Sequence, residues 1–149
     1  MKKKLLSIVT PCYNEAANIN ELYARISNSI NEITKYEFEI IVIDNSSTDG
    51  SLELLKELAS KDKRLKIIEN TRNFGHIRSP YYGILMSSGE ATIYLASDLQ
   101  DPPEKIAEFI KWWEDGYKLV QGVKPKSKSS PLFHFIRKSY YKILDRISD

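Results

Sequence analysis

The chain has 149 residues, 42% of them hydrophobic and 28% charged, which suits one domain with its own core and excludes a disordered or membrane-spanning chain. Its single cysteine, Cys12, excludes an intrachain disulfide and a cysteine-based zinc site, and suits a reducing compartment. The net charge of +2 is unevenly spread, with 14 basic against 18 acidic residues in 1–117 and 8 against 2 in 118–149, so a basic tail follows a mildly acidic body and charge alone selects no partner.

Met1–Lys4 followed by Leu5–Val9 imitates a signal peptide, but the apolar stretch is short and Pro11 leads into polar residues. We read Leu5–Thr10 as a first strand in a cytoplasmic protein; no window approaches the ~20 apolar residues of a membrane span. A polar cluster, Pro11–Glu15, comes next. Ile19, Leu22, Ile26, Ile30 and Ile33 then recur at helical steps. Phe38–Ile43 is the second strand, closed by Asp44–Gly50, where Thr48 or Asp49 can cap a helix carrying Leu52, Leu55 and Leu58.

Leu65–Glu69 is a third strand, followed by the loop Asn70–Gly75, and Ala91–Ala96 is a fourth, followed by Asp98–Pro103. Asp101 with Pro102, Pro103 and Glu104 marks the start of a helix bearing Ile106, Phe109, Ile110 and Trp113. Lys118–Gln121 is read as a fifth strand. Residues 124–131 are a Lys/Ser/Pro linker, and 132–149 an amphipathic basic helix with Leu132, Tyr140 and Ile147 on its stripe. Near-continuous apolar strands alternating with helices predict an α/β fold whose mostly parallel sheet is covered on both faces. Ligands of such sheets bind beyond the carboxyl ends of the strands, so the four polar clusters should converge on one crevice.

Taken in order, Pro11-Cys12-Tyr13-Asn14-Glu15, Ile43-Asp44-Asn45-Ser46-Ser47-Thr48-Asp49-Gly50, Arg72-Asn73-Phe74-Gly75 and Ser97-Asp98-Leu99-Gln100-Asp101-Pro102-Pro103-Glu104 resemble the family 2 glycosyltransferases of the GT-A fold. Within them the pattern is most like the polyprenyl-phosphate transferases, the dolichyl-phosphate mannose synthase group. The resemblance covers nearly the whole chain and makes it the N-terminal catalytic portion of a longer enzyme. It divides the chain into a nucleotide-sugar-binding core over 1–123, the linker 124–131 and the helix 132–149.

The resemblance implies that Pro11, Tyr13 and Glu15 lie against base and ribose, where a tyrosine offers a stacking face and a carboxylate an acceptor. Asp44 accepts a hydrogen bond from the base edge; the second aspartate usual in the family is Asn45 here, and Asp49 reads as a helix cap. Arg72, Gly75 and Ser97 complete the nucleotide set, with Arg78 and Lys124 as phosphate or acceptor contacts. Lys124 stands where the family commonly has an arginine and lacks its bidentate fork. Asp98 is assigned as catalytic and as the ligand of Mg2+ or Mn2+, because Ala96 occupies the first position of the family's Asp-x-Asp. Magnesium is often held by one or two carboxylates plus phosphate oxygens and waters. Cys12 reads as a packed side chain rather than a nucleophile.

The implied reaction is inverting transfer of a sugar from a nucleotide diphosphate, UDP above all, to a polyprenyl phosphate. The implied partners are that donor, a lipid-phosphate acceptor, a membrane surface met by 132–149 at the inner face of the cell membrane, and a second copy of the chain; no nucleic acid is expected. Two alternatives are a non-catalytic nucleotide-sugar-binding module, motivated by Ala96, and a transferase acting on a saccharide. A phosphoacceptor receiver domain built on Asp44 also predicts alternating strands and helices, but Glu15 and Lys124 are misplaced for it.

Overall fold

The computed structural model describes residues 3–123 together with Phe135, Lys138, Tyr140 and Tyr141. Four strands, β1 (Leu5–Cys12), β2 (Glu37–Asp44), β3 (Leu65–Glu69) and β4 (Ala91–Tyr94), form one parallel sheet in the order β3-β2-β1-β4. Helices α1 (Ala16–Asn31), α2 (Ser51–Lys61), α3 (Gly75–Leu85) and α4 (Ile106–Glu114) alternate with them, the last entered through a 3-10 turn at Pro103–Lys105. Four of the five predicted strands are observed, and Pro103 stands at the start of its turn as the sequence suggests.

Alternation along β1 and β2 divides the core. Leu6, Ile8, Cys12, Phe38, Ile40 and Val42 pack with Ile19, Leu22, Ile26 and Ile30 of α1, Leu55 of α2 and Ile106 and Ile110 of α4. Val9, Ile41 and Ile43 face the other way, toward α3. Burial on both faces is why the strands read as unbroken apolar runs.

One expectation fails, and one element was not expected. Lys118–Gln121 is not a strand: Leu119 is 86% exposed, and a strand needs a ladder partner and a covered face to hold it. Helix α3 was not foreseen, because it contains Pro80 and Gly83, both poor helix formers. These two are what let it lie close to the sheet. Ser79, Pro80 and Gly83 are its buried residues, and a Cβ on Gly83 would overlap the Ile43 side chain. Thr48 caps no helix; its amide instead donates to Asn14 Oδ1 at 2.8 Å. The linker 124–131 and most of 132–149 lie outside the described residues, as does Lys124; Phe135, Lys138, Tyr140 and Tyr141 are helical and exposed.

At the pole away from the strands' carboxyl ends, Asp62 ties three elements together. It accepts from Arg64 N at 2.9 Å, from the Arg64 guanidinium at 2.8 Å and from Tyr23 Oη at 2.7 Å. The Arg64 hydrogen bonds, opposed in part by burial, hold its carboxyl at about 2. Because folding lowers this pKa, the stabilisation is complete above the unfolded value near 4 and is lost as pH falls toward 2. Allowing for solvent on the Arg64 side, Asp62→Asn should cost about 1–2 kcal/mol at pH 7 and progressively less as pH falls through 2. Urea unfolding of both proteins across that range checks it, and a difference that stays at its pH 7 size at pH 2 contradicts it.

Candidate active site

The strand order reverses between β1 and β4, so the crevice expected of an open α/β sheet falls between the loops that follow them. Three loops at this edge each hold a non-glycine residue in the left-handed region: Asn14 (φ 55°), Ser46 (φ 68°) and Leu99 (φ 59°), after β1, β2 and β4 respectively. Such conformations cost of order 1–3 kcal/mol each and persist only where the surroundings hold them.

What holds the first two is visible. Asn14 N donates to Ser47 Oγ at 3.0 Å, and Glu15 N donates to Ser51 Oγ at 2.9 Å. Asp49 spans both helix starts: one carboxylate oxygen accepts from Ala16 N and the other from Ser51 N, each at 3.0 Å. It precedes Gly50, the N-cap of α2, and holds the first amide of both helices rather than capping one, and the hydrogen bond from the Ser51 hydroxyl, followed by that from the Ala16 amide, lowers its pKa. Glu15 is the N-cap of α1, and its Oε2 accepts from Asn18 Nδ2 at 2.6 Å.

Asp44 and Asn45 end β2 on opposite faces. Asp44 is 1% exposed; its Oδ2 accepts from Ser47 N at 3.1 Å, and its Oδ1 has no hydrogen-bond partner among the described residues. A buried carboxylate oxygen left in this state costs stability unless something else supplies the hydrogen bond. Burial, with Asp44 as a smaller contributor, pushes the neighbouring Cys12 thiol up to about 11. Cys12 is therefore a packed thiol, as the sequence suggests.

Asn45 turns toward the loop after β3. Its Oδ1 accepts from Asn70 Nδ2 at 3.0 Å and from Phe74 N at 2.9 Å, and its Nδ2 donates to Asn73 Oδ1 at 2.9 Å. An aspartate could make only the accepting half of this set, so the departure from the family's usual residue is used structurally. This role was missed, although three asparagines at 45, 70 and 73, in the segments that follow β2 and β3, were the available signal. Gly75 has φ 84° and open space where a Cβ would be, so it is backbone conformation that calls for glycine there.

Pro11 and Ser97 border one end of a small apolar cavity that runs into the core beneath α1, between Ile19, Leu22, Val42 and Leu55. Asp98 is exposed on the turn after Ser97, its Oδ1 accepting from Gln100 N at 3.1 Å. Burial raises the Tyr94 phenol, and the charges of the Asp101 and Asp98 carboxylates add to the shift. Tyr13 is half exposed at the same edge, and the Arg72 guanidinium stacks over Phe74 at 4.9 Å. Arg78 lies on the solvent side of α3. Pro11 and Asp44 stand at the carboxyl ends of β1 and β2, Gly75 opens α3, and Tyr13, Glu15, Arg72, Ser97 and Asp98 lie on the segments that follow β1, β3 and β4, all at the carboxyl end of the sheet. Among the described residues no three His, Cys, Asp or Glu side chains are grouped to hold a metal ion.

Residues 7–147 match the family model described as Glycosyl transferase family 2. Uncharacterized glycosyltransferase YkcC of Bacillus subtilis is 38% identical over 96% of this chain and 44% of its own length. An undecaprenyl-phosphate 4-deoxy-4-formamido-L-arabinose transferase of Aeromonas hydrophila is 31% identical over 96% of this chain and 43% of its own. The chain therefore spans less than half the length of these curated relatives. Among solved structures, a Pyrobaculum calidifontis mannosyltransferase in complex with GDP-Man and Mn2+ superposes with a TM-score of 0.63 at 24% identity, over 78% of this chain and 34% of that one. S. aureus TarS in complex with UDP-GlcNAc gives 0.58 at 21% identity, over 87% and 37%. These share the GT-A fold. With the family match running through all four strand-end loops and the sheet carrying the same architecture, the chain belongs to glycosyl transferase family 2.

Proposed function

We propose that this chain is the donor-binding part of an inverting glycosyltransferase that moves a sugar from a UDP-linked donor to a polyprenyl phosphate. The observation that carries the reading is Asp44, a buried carboxylate with one oxygen unpartnered among the described residues, at the crevice edge. A uracil imide N–H is a donor of the kind that oxygen lacks, and the half-exposed Tyr13 ring offers a face to the base. Glu15 accepts from the ribose, and Arg72 supplies positive charge near the diphosphate. The polyprenyl-phosphate branch is supported by relatives named as undecaprenyl-phosphate transferases, and nucleotide-sugar use by the ligands of the TarS and mannosyltransferase structures.

The donor set fits a divalent cation in one respect only. Asp98 is exposed and can offer an oxygen, but Ala96 contributes none, so the chain suits an ion that arrives on the diphosphate and not one held by protein alone. When bound, Mg2+ or Mn2+ would neutralise charge developing on the departing diphosphate. The chain's own part is to fix donor orientation through Asp44, Tyr13 and Glu15, which raises the effective concentration of the reacting groups. A phosphate oxygen of the acceptor forms the new bond to the anomeric carbon while the bond to UDP breaks on the opposite face. That phosphate is largely anionic near pH 7, its second pKa being about 6, so no strong base is required.

Calorimetry tests the reading. UDP should bind more tightly than GDP and tighten further with Mn2+, while Mn2+ without nucleotide should give no heat. Preference for GDP would overturn the base assignment. Ala96 favours a second reading, a binding module without turnover; donor affinity indifferent to metal, together with no donor hydrolysis, would establish it.

A further inference from the structure

Helix α3 is inverted in character. Its small residues Ser79, Pro80 and Gly83 face the sheet, while Ile77, Tyr81 and Leu85 are 71%, 61% and 62% exposed. At about 100° per residue, Phe74, Ile77, Arg78, Tyr81 and Leu85 fall on one arc opposite the buried side. Isolated exposed apolar residues need no explanation, but a contiguous arc of them marks a contact surface.

Charge says what the arc meets. Between Glu69 and Glu90 there is no acidic residue, whereas Arg72, His76 and Arg78 are basic, in a body that is otherwise mildly acidic. Among the described residues neither arginine is in an ion pair: Arg72 stacks on Phe74 and Arg78 points to solvent. A second copy docked about a two-fold axis would bring two like-charged basic rims into one interface with no acidic residue of this segment between them. Aliphatic and tyrosine side chains rimmed by arginine are instead what settles an in-plane helix at the boundary of an anionic bilayer.

We infer that the outer face of α3 is a docking surface for an anionic lipid bilayer. The surface is carried by this helix. Helix α3 starts at Gly75, on the loop that Asn45 fastens to the end of β2. A surface-bound α3 therefore keeps the crevice near the lipid, which serves a lipid-linked acceptor; that consequence alone rests on the function proposed above.

The test is co-sedimentation of the full chain with phosphatidylcholine vesicles containing phosphatidylglycerol. The parent should bind, and Ile77→Asp with Leu85→Asp should reduce partitioning at least tenfold with UDP affinity unchanged. Arg72 is assigned to the nucleotide and Arg78 to a phosphate or acceptor contact, so the charge test uses Arg78→Glu with neither donor nor acceptor present and reads vesicle binding alone: it should weaken binding several-fold, with the effect vanishing on pure phosphatidylcholine. Phe135→Ser with Tyr140→Ser controls for the C-terminal segment and should leave the dependence on α3 intact. As a readout independent of those variants' folding, a fluorophore on Ile77→Cys, with Cys12 buried, should shift to the blue on adding vesicles. The inference is overturned by absence of parent binding, by partitioning indifferent to the α3 substitutions, or by a parent dimer that the same substitutions disperse.

Discussion

Asp44→Asn is expected to weaken UDP binding by roughly 10- to 100-fold, the range for losing a hydrogen bond to a charged partner. The fold should be unharmed. Oδ2 of Asp44 accepts from Ser47 N, and an asparagine oxygen can do the same; Oδ1 has no partner among the described residues whose loss would be felt. Exchanging a buried charge for a neutral amide removes part of a desolvation cost, so the melting temperature should stay within about 2 °C of the parent or rise. Lost affinity with an intact or improved fold is the signature of a group kept for its ligand. Calorimetry and thermal unfolding on the same preparation check it. A large fall in melting temperature with unchanged affinity would make Asp44 a structural residue.

Asp98→Ala should erase the effect of metal on donor binding. In the parent, Mn2+ should tighten UDP binding by about tenfold or more, in keeping with a carboxylate and phosphate oxygens sharing one ion. In the variant, UDP should bind equally with and without Mn2+, at the parent's metal-free affinity. Asp98 is exposed and makes a local hydrogen bond to Gln100 N, so little stability goes with it. Asp101→Ala, beside the entry to the 3-10 turn, should retain the metal dependence. Retention of that dependence by Asp98→Ala would remove the assignment.

Much of this architecture was legible in the sequence because burial on both faces writes strands as near-continuous apolar runs, a pattern that β1 and β2 carry, whereas β3 and β4 are shorter and only partly buried. The loops were legible for the same reason: each polar cluster starts where an apolar run stops. What escaped depended on partners distant in sequence. Helix α3 conceals itself, since the residues that fit it to the sheet, Pro80 and Gly83, argue locally against a helix. Lys118–Gln121 has a strand-like composition but no ladder to join among the described residues. The sharing of Asp49 between α1 and α2, and the asparagine set around Asn45, arise only once β1, β2 and β3 stand side by side. Local pattern reports burial, whereas tertiary hydrogen bonds report neighbours that local pattern does not name.

The central claim is that the loops after β1, β2 and β4 surround one diphosphate-bearing ligand. It is tested most directly by paramagnetic broadening in nitrogen-15 spectra of the chain with UDP and Mn2+, read against UDP with Mg2+. Amides at 13–15, 44–47 and 97–100 should broaden together, while those at 33–37, 62–65 and 87–90, at the opposite pole, stay sharp. Broadening confined to one of the three loops, or centred on the opposite pole, would contradict it.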